Sequence, residues 1–176
     1  MKVFIISEIG INHNGDINIA KKLIDAVNAC GWHCAKFQKR NPDVCVPEHQ
    51  KLVERDTPWG RMSYIDYKYK VEFEKEEYDI IDEYCKSKPI DWTASVWDLP
   101  SLDFLTNYDV PFIKIPSAHI TNTSLLEELS KINVPIIIRL QGTNSKKAAE
   151  IINNSGLKVF SAITLQDAAD KINDIL

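Results

Sequence analysis

Val3-Phe-Ile-Ile-Ser-Glu8 runs into Ile9-Gly-Ile-Asn-His-Asn-Gly15 and then into Asp16-Ile-Asn-Ile-Ala-Lys-Lys-Leu-Ile-Asp-Ala-Val27. A short apolar run, a turn rich in glycine and asparagine, and an amphipathic stretch predict one βα unit. Ile17, Ala20, Leu23, Ile24 and Val27 recur at helical spacing behind Asp16, a capping residue, and Gly31 follows as a stop. Cys34-Ala-Lys-Phe-Gln38 then reads as the next strand, and the alternation continues along the chain. Strands are expected near 3–8, 34–38, 90–96, 111–116, 134–140 and 157–162. Helices are expected near 17–30, 74–87, 99–107, 122–132, 145–154 and 165–175. The fold class is α/β, with about six βα units on a parallel sheet.

The stretch 39–72 breaks that rhythm. It is polar and aromatic, with Pro42, Pro47, Pro58, Trp59, Tyr64, Tyr67 and Tyr69. A loop of this length reads either as a functional lid or as a folded insertion that packs its own aromatics.

A chain of 176 residues with 44% hydrophobic content builds one sizeable core. No window approaches the ~20 apolar residues of a membrane span, and the start lacks a basic segment leading into an apolar signal core. A soluble, cytoplasmic protein is the expectation. The net charge of −4, with Lys and Arg scattered, supplies no basic stripe for nucleic acid. Cys30, Cys34, Cys45 and Cys85 have neither CxxC spacing nor the ladder of a secreted scaffold, and read as free thiols.

Three charged residues fall where apolar strands end: Glu8, Lys36 and Lys114, the last in Pro111-Phe-Ile-Lys-Ile115. A charge in a strand buried on both faces costs several kcal/mol unless it is paired or reaches a polar cavity. Three of them at one end of a parallel sheet therefore point to a site. Lys36 and Gln38 are two apart and share a strand face. Two inward lysines with Ser95 and Ser117 suit a phosphate or carboxylate, by charge and by directional hydroxyl bonds. The loop after Glu8 offers Asn12 and His13 to a small ligand, with plain turn chemistry and a helix cap as the other reading. His13, His33, His49 and His119 show no metal-ligand spacing, and only His13 sits in the candidate site loop.

Glu8-Ile-Gly-Ile-Asn-His-Asn-Gly15, Lys36-Phe-Gln38, Thr57-Pro-Trp-Gly60, Ala94-Ser-Val-Trp-Asp98 and Lys114-Ile-Pro-Ser-Ala118 together resemble the sialic acid synthase family, in order and spacing, from residue 3 to about residue 130. That family consists of TIM-barrel enzymes that condense phosphoenolpyruvate with N-acetylmannosamine or a related amino sugar, using a divalent metal, often manganese or magnesium. The resemblance implies that Lys36, Ser95, Lys114 and Ser117 hold the phosphate and carboxylate of phosphoenolpyruvate. It implies that Glu8 is the acid near the reacting carbons and that Gln38, Asn12 and His13 face the sugar. Two departures stand out: Ser117-Ala118-His119 replaces the Ser-Gly-Glu run of many members, and Ala94-Ser-Val-Trp97 replaces the commoner Ser-Thr-Pro-Phe. The family's metal-binding histidines belong to later strands, so no metal ligand is carried over.

From Val134 the wording changes. Val134-Pro-Ile-Ile-Ile-Arg-Leu-Gln-Gly-Thr-Asn144, Asn154-Ser-Gly-Leu157 and Leu165-Gln-Asp-Ala-Ala169 resemble the carboxyl end of the succinyl-CoA ligase β subunit, whose last domain is flavodoxin-like. The chain is thus expected to divide into a synthase-like partial TIM barrel over 1–133 and a ligase-like βαβα segment over 134–176 packed into the same domain. The join falls between Glu128 and Pro135, as in a chimera. A divergent pair of synthase strands is the other reading of the tail.

A closed (βα)₈ barrel takes about 250 residues. Six units leave an open sheet, an imperfect closure, or edges that pair with a second copy as a homodimer. The leading functional expectation is an incomplete N-acetylneuraminate synthase, weakly active or inactive alone. A non-catalytic chimeric scaffold and a ligase β-subunit fragment are the alternatives.

Overall fold

Helix α1 (Ile17–Ala29) forms as its spacing predicts. The Asp16 side chain accepts from Asn18 N at 2.7 Å, Ala20, Ile24 and Val27 are buried, and Gly31 follows with φ +67°. It leads from strand β1 (Ile6–Gly10) to strand β2 (Cys34–Lys39), which pair in parallel. The computed structural model describes residues 4–119, 121–132, 136–139, 145–154, 159–162, 164, 166–168, 170 and 171. Parts of the expected strands near 3–8, 134–140 and 157–162 lie outside these residues.

Packing divides the chain into two compact units, Lys2–Pro116 and Ser117–Leu176. That division is one of packing. The boundary expected at 133/134 is one of sequence character.

In the first unit, helix α5 (Lys75–Lys86) precedes strand β5 (Asp91–Val96), and helix α6 (Leu99–Leu105) follows it. The parallel sheet has the order β1-β2-β5 and is open. β2 and β5 are buried on both faces, as apolar parallel strands require. One face packs on an aromatic cluster around Tyr78, whose ring lies 5.5 Å from Trp92 and 5.3 Å from Phe104 and whose hydroxyl donates to Gln38 O at 2.7 Å.

Two strand ends differ from expectation. β1 continues past Glu8 to Gly10, because the register slips between the two and Gly10 takes φ +58°, a conformation that glycine adopts without strain. The run 111–116 joins the sheet through one parallel bridge, Ser95 to Lys114. Pro111 and Pro116 bracket it, and neither has an N–H for a ladder.

The stretch 39–72 is a folded insertion. It contains helices α2 (Pro42–Cys45), α3 (Glu48–Lys51) and α4 (Tyr64–Val71), with an antiparallel hairpin of β3 (Glu54–Thr57) and β4 (Gly60–Ser63). Some of its aromatics pack together, Tyr64 stacking on Tyr67 at 6.4 Å between ring centres while the Arg55 guanidinium lies 3.9 Å from the Tyr64 ring, but Trp59 and Tyr69 remain exposed.

The second unit contains a 3-10 turn (Ser117–His119), helix α7 (Thr123–Lys131), strand β6 (Ile136–Arg139), helix α8 (Ser145–Asn153) and strand β7 (Val159–Ala162). β6 and β7 pair in parallel, and residues 166–168, 170 and 171 are helical. The βα rhythm of the tail is therefore present where residues are described.

Candidate functional site

The register of the sheet sets Glu8 beside Lys36, Lys36 beside Thr93, and Gln38 beside Ser95, with Ser95 bridged to Lys114. Partners in a parallel ladder share a face, so these side chains form one polar patch in an otherwise apolar sheet. Lys36 Nζ lies 2.7 Å from Glu8 Oε2, donates to Ser95 Oγ at 3.0 Å and donates to Phe37 O at 3.2 Å. Those three acceptors match the three N–H donors of a buried ammonium.

Lys114 Nζ reaches the other Glu8 oxygen, Oε1, at 3.3 Å. Glu8 and Lys114 sit three strand spacings apart, about 14 Å on a flat sheet. Two long side chains leaning toward each other span that separation, and a sheet curled toward this face, as in a barrel wall, shortens it. Thr93 ties the 111–116 run down as well, since its hydroxyl donates to Phe112 O while Val96 N donates to Lys114 O at 3.2 Å.

Two ammonium groups and one carboxylate give the patch a net positive charge. Burial acts to raise the Glu8 carboxyl, but hydrogen bonds and charge from Lys36 and Lys114 outweigh it and hold the group below its ordinary value. Burial pushes the Lys36 ammonium down, Glu8 offsets part of that, and the like charge of Lys114 adds to it. An anionic ligand would relieve the repulsion between the lysines.

Gln38 is half-buried on this face, with its Nε2 3.5 Å from where a Cβ on Gly10 would stand. Asn12 is exposed in the turn after β1, its N–H donating to Ile9 O at 3.0 Å. Ser117 is exposed and belongs to the second unit. His13 lies elsewhere: its ring stacks on Phe73 at 3.8 Å and packs against Phe37, which alternates with Lys36 along β2 and so faces the opposite side of the sheet. The structure thus gathers Glu8, Lys36, Gln38, Ser95 and Lys114, and does not bring His13 to them.

Thr93 escaped the sequence reading although the period of two from Ser95 could have revealed it. Arg40 and Glu72 escaped it too. Arg40 Nε donates to Glu72 Oε2 at 2.8 Å and Arg40 N to Oε1 at 3.0 Å, both side chains being buried. No local pattern marks a pair 32 residues apart.

Among the described residues, no three His, Cys, Asp or Glu side chains converge to hold a metal ion. Both Glu8 oxygens face lysines. The donor set does not fit a divalent cation.

The NeuB family profile matches residues 23–169. The chain belongs to the NeuB family. The match runs beyond residue 130, where the quoted synthase motifs stop. Among curated NeuB-type relatives, N-acetylneuraminate-9-phosphate synthase of Drosophila melanogaster is 39% identical over 140 residues, which is 77% of this chain and 37% of that protein. The crystal structure of the N-acetylneuraminic acid (sialic acid) synthetase of Leptospira borgpetersenii superposes with a TM-score of 0.73 at 26% identity, covering 96% of this chain and 58% of that one. This NeuB chain thus spans well under half of the Drosophila enzyme. A 44-residue stretch is 66% identical to the succinate–CoA ligase β subunit of Christiangramia forsetii, covering 25% of this chain and 11% of that one, which supports the second resemblance of the tail. No helix among the described residues is long and apolar enough to cross a membrane.

Proposed function

We propose that this NeuB chain forms the phosphoenolpyruvate-binding part of a synthase that condenses phosphoenolpyruvate with an N-acylmannosamine. The observation that carries the reading is the Glu8 carboxylate held between Lys36 and Lys114 on one sheet face. Lys36, Lys114 and Ser95 hold the phosphate and carboxylate of the donor, and Ser117 joins them by its motif alone. Gln38 and Asn12 face the sugar.

An arriving anion competes with Glu8 for both ammonium groups. Glu8 is exposed enough to swing aside without stranding a charge, so it remains close to the donor as the local acid. Condensation joins the methylene carbon of phosphoenolpyruvate to the sugar aldehyde carbon, the aldehyde oxygen takes up a proton, and water adds to the enol carbon so that inorganic phosphate leaves as the 2-keto group forms. Positive charge grows on the enol carbon and negative charge on the aldehyde oxygen, and prepositioned charges of both signs lower that barrier. Family membership supports a divalent metal, manganese or magnesium, in the whole enzyme.

Calorimetry with phosphoenolpyruvate is expected to detect a site that Lys36→Ala and Lys114→Ala each abolish. An unchanged heat in either variant rejects the anion cradle. Incubation with N-acetylmannosamine, phosphoenolpyruvate and manganese then tests turnover.

The ligase-like tail favours a second reading, a chimeric scaffold without catalysis. Binding without product points to an incomplete, inactive synthase, whereas neither binding nor product points to the scaffold. The ligase-fragment reading has only the tail in its favour. Free cysteines suit a reducing compartment, so we place the protein in the cytoplasm. The open sheet edges are where a second copy would pair, which light scattering tests.

A further inference from the structure

Lys114 takes its position from a run with little ladder of its own. Main-chain pairing reaches it at the bridge to Ser95, where Val96 N donates to Lys114 O at 3.2 Å, and Pro111 and Pro116 lack the N–H that would extend the pairing. In the same parallel register the residue two before Lys114, Phe112, falls at Thr93. There a side chain makes the link: the Thr93 hydroxyl donates to Phe112 O. Thr93 is 0% exposed, so solvent water does not compete for that bond.

Thr93 is also the register partner of Lys36, on the sheet face that carries Lys36, Gln38 and Ser95. A hydroxyl has one proton to give, and Phe112 O takes it, so toward an anion Thr93 presents only lone pairs. Despite its place it is unsuited to be a further donor beside Ser95. We infer that Thr93 is a positioning residue, whose bond to Phe112 O holds the 111–116 run where Lys114 Nζ reaches Glu8 Oε1 at 3.3 Å. Lys36 on β2 and Lys114 on the run flank β5, and Thr93 on β5 sets the gap between them. The inference rests on the reading of the two lysines as the donor cradle, and two of its three readouts need no phosphoenolpyruvate.

Thr93→Val keeps the branched shape and loses the hydroxyl, whereas Thr93→Ser keeps the hydroxyl. In the whole chain, hydrogen exchange of the Val96 amide is expected to quicken about tenfold in Thr93→Val, while amides of the β1–β2 ladder hold the parent rate. Against burial, Lys36 and Lys114 hold the Glu8 carboxyl below its ordinary value, so its midpoint by carbon NMR is expected to rise in the same variant. Calorimetry is expected to show phosphoenolpyruvate binding weakened about tenfold. Thr93→Ser is expected to restore all three. Uniformly faster exchange with a Glu8 midpoint like the parent's would reduce Thr93 to packing and overturn the inference. Equal phosphoenolpyruvate affinity in parent and Thr93→Val would overturn it too, with the cradle left standing. A parent that binds no phosphoenolpyruvate removes the cradle; a Val96 rate and a Glu8 midpoint that still shift then support the hold of Thr93 on Lys114, and unshifted values overturn it. Should Thr93→Val fail to fold, Thr93→Cys, whose thiol is a weaker donor, is expected to shift both values in part, and values like the parent's overturn the inference.

Discussion

Lys36 and Glu8 meet at 2.7 Å across the boundary between core and water, the lysine side chain 1% exposed and the glutamate side chain 59%. Removing the lysine leaves the acid in solvent, not stranded in the core. A buried charge is itself unfavourable, and its replacement by an apolar side chain of similar length is often neutral or stabilising. Against that gain, the Ser95 hydroxyl and Phe37 carbonyl each lose a partner, at about 1 kcal/mol apiece. Lys36→Met is expected to hold the unfolding free energy within about 1 kcal/mol of the parent while the phosphoenolpyruvate heat disappears. Urea unfolding beside calorimetry checks both, and a large loss of stability would make Lys36 a structural residue.

Glu8 also sets a pH dependence. Its carboxyl is held below the ordinary 4.5, so the folded chain binds this proton less readily than the unfolded chain. The stabilisation is therefore complete above the ordinary value and is lost as pH falls through the depressed one. Urea midpoints of the parent and Glu8→Gln, followed from pH 6 downward, are expected to differ most at the neutral end and to converge in acid. Parallel profiles would show that the lysines do not hold the carboxylate in solution.

Gly15 lies close against the insertion. A Cβ there would stand 2.1 Å from the backbone oxygen of Lys70, and φ is +71°. Neither clash nor conformation can relax by a side-chain rotation. Gly15→Ala is expected to destabilise the chain by more than about 2 kcal/mol, read as a lowered thermal midpoint. An unchanged midpoint would mean that α4 does not seat against the turn.

Arg40 and Glu72 are a buried pair with a different balance from Lys36 and Glu8, because both partners are out of water. Glu72→Ala leaves the guanidinium without its carboxylate and is expected to remove about 3–5 kcal/mol. Replacing both residues by apolar ones should recover much of that loss. Urea unfolding of the single and double variants separates the two cases.

The sequence revealed what periodicity can reveal. Lys36 and Gln38 share a face because strands alternate, whereas the pairing of Ser95 with Gln38 is a matter of register between two strands, which alternation does not specify. The tail elements β6, α8 and β7 also fall within their expected ranges. Periodicity was silent about the extra reach of β1, which depends on a left-handed glycine at Gly10. It over-extended the 111–116 run, where apolar residues suggested a strand and two prolines deny it a ladder. It also placed His13 in the correct turn without saying on which side of the sheet the ring would lie, since that depends on Phe73, sixty residues away. The insertion 39–72 carried no period at all, and its hairpin and helices emerge only in three dimensions.

The solitary rung between Ser95 and Lys114 gives the two ammonium groups unequal mechanical roles. Lys36 rides on a fully zipped central strand, whereas Lys114 rides on a stretch tethered at one bridge and at the Thr93 hydroxyl. Tightening around a guest of slightly different size would therefore be done by one jaw while the other serves as an anvil.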